Sequence, residues 1–150
     1  LNPALCLAGL ARHLGIGSDR LFGRVESLIA TMGKPEEAER GAFYEVLPYA
    51  EYFASVDHPE RESYHSSLAT GIEGRVAAGE YEDAGHFFDH VGGPTSAIAR
   101  RMAPEMISAQ LDRLIGEQEA DGGWPTPYDP VWRAWFSARA ISMLSAYGRL

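Results

Sequence analysis

Basic residues are scarce in this chain. Its 150 residues carry 13 Lys+Arg against 21 Asp+Glu, a formal net charge of −8. Without a basic patch there is nothing to release counterions from a phosphate backbone, so nucleic acid is excluded as an expected partner. The same balance disfavours an anionic membrane surface. Cysteine is nearly absent as well. Cys6 stands alone, which rules out an intrachain disulfide and a multi-cysteine zinc site, and a reducing cytoplasm is the expected location. No apolar run approaches the roughly 20 residues that a membrane-spanning helix needs. No charged segment followed by an apolar one opens the chain as a leader would. An initiating Met is lacking too: the chain begins Leu1-Asn2-Pro3 and reads as a domain, or part of one, cut from a longer protein. No stretch alternates apolar and polar residues with period two, so no strand is expected.

What remains is an ordinary globular composition, 45% hydrophobic and 23% charged, of a size for one domain at most. Five prolines punctuate it in the same way: Pro3, Pro35, Pro59, Pro104 and Pro130 each precede a helical pattern. Proline suits the first helical position because its absent donor is an orphan there anyway. Asn2 and Asp129 are good caps directly before two of them.

The first helix is expected from Pro3 to Leu14, with Leu7, Leu10, Ala11 and Leu14 facing inward, and Gly15 and Gly17 ending it. Ser18 or Asp19 caps the second, where Leu21, Phe22, Val25, Leu28, Ile29 and Met32 form an amphipathic stripe. The third starts at Pro35-Glu36-Glu37 and carries Phe43, Val46, Leu47, Ala50, Phe53 and Ala54, with a kink at Pro48. In the fourth, Tyr64, Leu68, Ile72 and Val76 step by four, and Gly71 and Gly74 permit close helix contact. Gly79 to Arg101 reads as a long loop with one short turn, on Gly85, Gly92, Gly93 and Pro94. The fifth helix runs from Pro104 toward Gln118. The sixth follows Asp129-Pro130, with Trp132, Trp135, Phe136, Ala140, Met143, Leu144 and Tyr147 as its apolar face and Gly148 as its stop. The expectation is six helices in three antiparallel hairpins.

The most informative stretch is QEADGGW, Gln118 to Trp124. Leu111, Leu114 and Ile115 bring a helical apolar face up to it, and Asp121-Gly122-Gly123 stops the helix. Gln118 sits on that face. A buried amide there would have to reach orphan backbone groups at a helix end, with the Trp124 ring beside it as a shield. Gln118, Gly122 and Trp124 fit the spacing Gln-x-x-x-Gly-x-Trp, with Leu114 and Ile115 as the upstream apolar pair. This resembles the QW repeat of squalene–hopene cyclases and related α/α-toroid proteins, and the doubled glycine is similar to the repeats of protein prenyltransferase β subunits. In those families the motif joins one helical hairpin to the next. The resemblance implies an all-α toroid segment over residues 1–150, corresponding to a C-terminal half, since DGGWP, an aromatic helix and a closing Tyr147-Gly148-Arg149 resemble the ends of bacterial toroid proteins. It also implies a concave face that binds an apolar, isoprenoid-like small molecule or a partner. An isolated arc would leave its flanks bare, so self-association or dependence on an absent N-terminal half is expected.

The chemistry is less legible. Neither DxDD nor DDxxD, the acid and magnesium motifs of the cyclases and synthases, occurs, and Cys6 lacks an Asp at the prenyltransferase zinc spacing. A lone Cys on an apolar helix reads as a small core residue. His86 and His90 would share one helix face as zinc ligands do, with His58, His65 or Glu82 as a third, but the surrounding glycines argue for a loop and against a tight metal site. No cofactor is expected. Glu45, Glu51 and Asp57 could serve acid–base chemistry in a carbohydrate-active (α/α) barrel, although helix carboxylates are more commonly solvated. Trp132, Trp135 and Phe136 read as one packed helix face. With Tyr128 they are also the cavity-lining aromatics that the resemblance implies, where such rings stabilise cations. The remaining alternatives are an isoprenoid cyclase or prenyltransferase-like enzyme, as the resemblance implies, with its acid or metal motif in the absent N-terminal half, and a purely structural helical-repeat module.

Overall fold

The computed structural model describes residues 1–150. It is all-helical, as the periodicity predicts, with eight α-helices where the sequence suggested six, and no strand. No helix is long and apolar enough to cross a membrane. The chain divides into two compact units, Leu1–Ala77 and Ala78–Leu150.

The first unit contains α1 (Ala4–His13), α2 (Asp19–Met32), α3 (Pro35–Arg40), α4 (Phe43–Ser55) and α5 (Arg61–Ala78). Helix α1 packs chiefly on α4, and it does so on an unexpected face. Leu5, Ala8 and Gly9 are buried, whereas Leu7, Leu10 and Leu14 are each more than half exposed. The reason is backbone proximity. A Cβ on Gly9 would lie 2.5 Å from the Glu51 carbonyl oxygen, so the small-residue face goes inward and the leucines go out. Helix α2 keeps its expected phase at Phe22, Val25 and Ile29 and its Ser18 cap, whose hydroxyl accepts from the Leu21 N–H at 3.3 Å. Leu21 and Met32 are exposed, and Arg12 lies 3.7 Å over the Phe22 ring.

The single kinked third helix is instead two helices. The break falls at Gly41-Ala42, not at Pro48, because Glu45 turns back to accept from the Ala42 N–H at 2.8 Å and starts a new N-terminus. Pro48 is buried inside α4. The core of this unit is aromatic. Tyr64 of α5 stacks on Phe53 at 4.2 Å and on Tyr49 at 5.4 Å. Tyr64, Leu68 and Ile72 are buried at their expected four-residue steps. Gly71 meets the Glu39 carbonyl where a Cβ would have to go, while Gly74 faces open space. Close helix contact therefore needs only the first of the two glycines.

The second unit holds α6 (Ala84–Val91), α7 (Pro104–Gly116) and α8 (Arg133–Ala146), with short 3-10 turns at Ala99–Arg101 and Pro130–Trp132. Helix α6 replaces the loop expected between Gly79 and Arg101. Its glycines lie mostly at the borders, Gly92 with φ of 74° closing it, and Asp83 caps it by accepting from the His86 N–H at 2.8 Å. Helix α6 packs on both α7 and α8. The expected face of α8 is buried only at Ala140 and Leu144, while Trp132 and Trp135 are about half exposed. Those two rings are surface residues, not core.

Candidate functional site

The second unit contains a cavity of about 270 Å³ between α6, α8 and the connection that follows α7. Its position follows from how that connection is held. Helix α7 ends at Gly116, and the chain then closes a tight turn in which the Glu119 N–H donates to the Gly123 carbonyl at 2.8 Å and Gly122 takes φ of 86°. Gln118 is exposed and spends its amide inside this turn, donating to the Gly122 carbonyl at 2.9 Å. The helix-end carbonyl is served by Trp124 instead, whose Nε1–H donates to Leu114 O at 2.6 Å. The expected division of labour is thus reversed: the ring caps the helix end and the amide stabilises the turn. Trp124 is 4% exposed, and its backbone N–H donates to Ser137 Oγ of α8 at 3.0 Å. Arg133 adds ion pairs to Glu119 and Asp121 at 2.6 and 2.5 Å. Its guanidinium lies against Gly123, where a Cβ would displace the flexible end of the Arg133 side chain.

The cavity walls are apolar: Phe88, Leu114, Trp124, Phe136, Ala140 and Met143, with Pro125 and Pro127 from the connection. Its charged lining is Glu82, Asp83, Asp89, Glu117 and Arg139, four carboxylates against one guanidinium. Each of three carboxylates is anchored. Arg139 pairs with Asp89 and also lies 4.6 Å from the Trp135 ring centroid. Glu117 accepts from the Ala84 N–H with both oxygens at 3.1 Å and from Arg113 Nε at 2.9 Å. Arg113 in turn holds the carbonyls of Tyr81 and Glu82 at 3.1 and 2.6 Å. Burial pushes the Asp89 and Glu117 carboxyls above their ordinary range despite their Arg partners.

From Asp83 in the cavity lining runs a hydrogen-bonded chain of three side chains. Asp83 Oδ2 accepts from His86 Nδ1 at 2.6 Å, and His86 Nε2 lies 3.2 Å from the Tyr128 hydroxyl. The hydrogen bond to Asp83 holds the His86 imidazole above its ordinary value. Burial raises Asp83, but the His86 ring and backbone N–H outweigh it and leave the carboxyl below its ordinary value. The connection's Tyr128 also meets Phe136 at 5.8 Å between ring centroids. Sequence reasoning placed His86 and His90 in a loop. They lie one turn apart on α6, both buried, but engaged with different partners: His90 Nδ1 is 2.8 Å from the Tyr81 hydroxyl. The signal that could have found α6 was Asp83, a good cap three residues before His86, outweighed by nearby glycines.

The other candidates are separate from this site. His65, in the first unit, is buried with Nε2 3.1 Å from Phe53 O. His58 Nδ1 accepts from the Glu60 N–H at 3.1 Å. Glu45, Glu51 and Asp57 are exposed, and Glu45 is engaged as the α4 cap. Cys6 is half-buried rather than core, and burial raises its thiol above the ordinary value. Of the four implied cavity aromatics, only Phe136 lines the cavity, beside Trp124 of the QW-like motif. Tyr128 touches it only through Phe136, and Trp132 of the 3-10 turn and Trp135 of α8 are exposed, with rings 6.5 Å apart. No protein-family model, no curated protein and no solved structure matches this chain.

Proposed function

We propose that the second unit is a binding unit for a small apolar, isoprenoid-like molecule, taken up in the cavity beside Trp124. The observation that carries this reading is the cavity itself: about 270 Å³, walled by aromatic and aliphatic side chains from α6, α7 and α8. Ligand sites are concave and mostly apolar, with a few fixed polar groups. At about 30 Å³ per water molecule the space would hold roughly nine waters, so the ligand is small, on the order of ten non-hydrogen atoms. The toroid resemblance points the same way, toward an apolar ligand held against helix faces, and Trp124 is the residue common to the motif and the cavity wall. Calorimetric titration with geraniol tests the reading. Saturable binding is expected, and Ala140→Leu, which fills the cavity from α8, should abolish it while leaving the thermal melt cooperative. Absence of geraniol binding to the parent protein counts against the proposal.

A helical interaction module is the second reading, supported by Leu7, Leu10 and Leu14 exposed along α1 and by Val131, Trp132 and Trp135 exposed around the start of α8. Patches of this kind drive association when they are contiguous. Sedimentation over a wide concentration range is the test, with self-association expected and a concentration-independent monomer as the contrary result.

A further inference from the structure

The apolar walls say what the body of a ligand should be, and the charges around them say what its head should be. Four carboxylates line the cavity, at Glu82, Asp83, Asp89 and Glu117, and the one lining cation, Arg139, is already paired with Asp89. Arg139 is also drawn toward the outer face of α8, where its guanidinium lies 4.6 Å from the Trp135 ring centroid. An anionic head entering this space would meet four carboxylates and no unpaired guanidinium. A neutral head would leave in place a negative field that Arg139, Arg113 and His86 offset only in part, through Asp89, Glu117 and Asp83. A cationic head would relieve that field and would also meet the ring-bearing walls, Phe88, Trp124 and Phe136, whose faces attract ammonium groups. The two attractions have separate origins and act on the same charge.

The carboxylates are held in place rather than free to turn away. Asp83 is fixed by both the backbone and the ring of His86, and Glu117 by Ala84 and Arg113. Such fixed groups need little reorganisation when a cation arrives, so less of the binding free energy goes to ordering them. Glu82 differs from the other three in being exposed at the cavity edge, where a ligand's head would approach from solvent.

We infer that the cavity of the second unit selects a small apolar ammonium compound, with its hydrocarbon body against Trp124 and Phe136 and its amine facing the carboxylates. This rests on the cavity-binding reading above and narrows it to one chemical class. The test compares three probes of one hydrocarbon skeleton by calorimetry on the full chain: geranylamine, geraniol and geranate. Geranylamine is expected to bind about tenfold more tightly than geraniol, the size of a partly desolvated cation–ring attraction, and geranate not measurably. Glu82→Gln, at an exposed position, should weaken geranylamine a few-fold more than it weakens geraniol, with thermal melts verifying that the variant is folded. Equal affinity for amine and alcohol overturns the inference while leaving the cavity reading intact, and so does any preference for geranate. Failure of all three probes removes the cavity reading and the inference together.

Discussion

The two units of this chain share side-chain bonds to backbone carbonyls, Arg61 to Phe53 O at 2.9 Å in the first as Arg113 to Tyr81 O at 3.1 Å in the second, and differ in what else closes them. The first closes on itself through stacked rings and glycine-mediated backbone contact. Phe53, Tyr49 and Tyr64 form one stack, and Gly9 and Gly71 let helix backbones meet at Glu51 and Glu39. It even buries two hydroxyls, of Tyr52 and Tyr64, without a hydrogen-bond partner. Burial pushes both phenols upward, and Tyr49 beside Glu37 to about 12. The second unit is also held by side-chain bonds to backbone at helix ends and in the connections: Trp124 to Leu114, Arg113 to Tyr81 and Glu82, Glu117 to Ala84, and Tyr147 Oη to Gly92 O at 3.1 Å. Ring packing fills space, whereas bonds that hold a loop off its neighbours can leave space behind. The cavity lies in the unit built the second way.

The sharpest way to break this contrast is at Trp124. Trp124→Ala removes a buried ring and leaves the Leu114 carbonyl without its donor, and should cost roughly 3–5 kcal/mol. A chemical or thermal melt showing a loss below about 1 kcal/mol would mean that the ring is not what holds the connection. The matching break in the first unit is Gly71→Ala, whose Cβ would collide with the Glu39 carbonyl. Backbone cannot yield as a side-chain tip can, so a loss of about 1–3 kcal/mol is expected, while Gly74→Ala, facing open space three residues later, should be neutral or slightly stabilising. Equal effects at the two positions would undo the close-contact argument.

A pH measurement sharpens the contrast further. His86 is raised above its ordinary value of 6.5, so its contribution is fully present below that value and is lost as pH rises through the higher folded value. Asp83 is lowered below 3.8, so its contribution is present above that value and is lost as pH falls through the lower one. The pair therefore supports the second unit between these limits. His86→Gln should flatten the decline of stability above pH 6.5, and a parallel decline in the variant would assign that slope to another group. The smallest effect is expected at Tyr64→Phe and Tyr52→Phe. Neither hydroxyl has a partner to lose, so each change should lie within about 1 kcal/mol of neutral and on the stabilising side. A loss above that by denaturant titration would reveal a bond that the rings alone do not account for.

The sequence was a good guide wherever local chemistry decides. Pro35, Pro104 and Ser18 mark helix starts at their expected places, the stripe of Phe22, Val25 and Ile29 is buried in phase, and Trp124 is buried as a large ring beside a Gly-Gly stop should be. It failed where a neighbouring backbone or a distant cap decides. Leucines on α1 outweigh alanine and glycine in any hydropathy reading, yet the close approach of α4 selects the small residues. His86 sits among glycines that suggest a loop, yet Asp83 caps a helix there and Tyr128, 42 residues on, meets its ring.

What the sequence determined by itself is the all-helical class and the main stops and starts, because periodicity, capping and proline geometry act within a few residues along the chain. Only the tertiary structure decided which helix faces are buried, that Trp124 rather than Gln118 serves the end of α7, and that Glu82, Asp83, Asp89 and Glu117 gather around one apolar space. Those outcomes depend on how near two backbones can come and on which side chain reaches a helix-end carbonyl first, distances that no spacing along a single chain encodes.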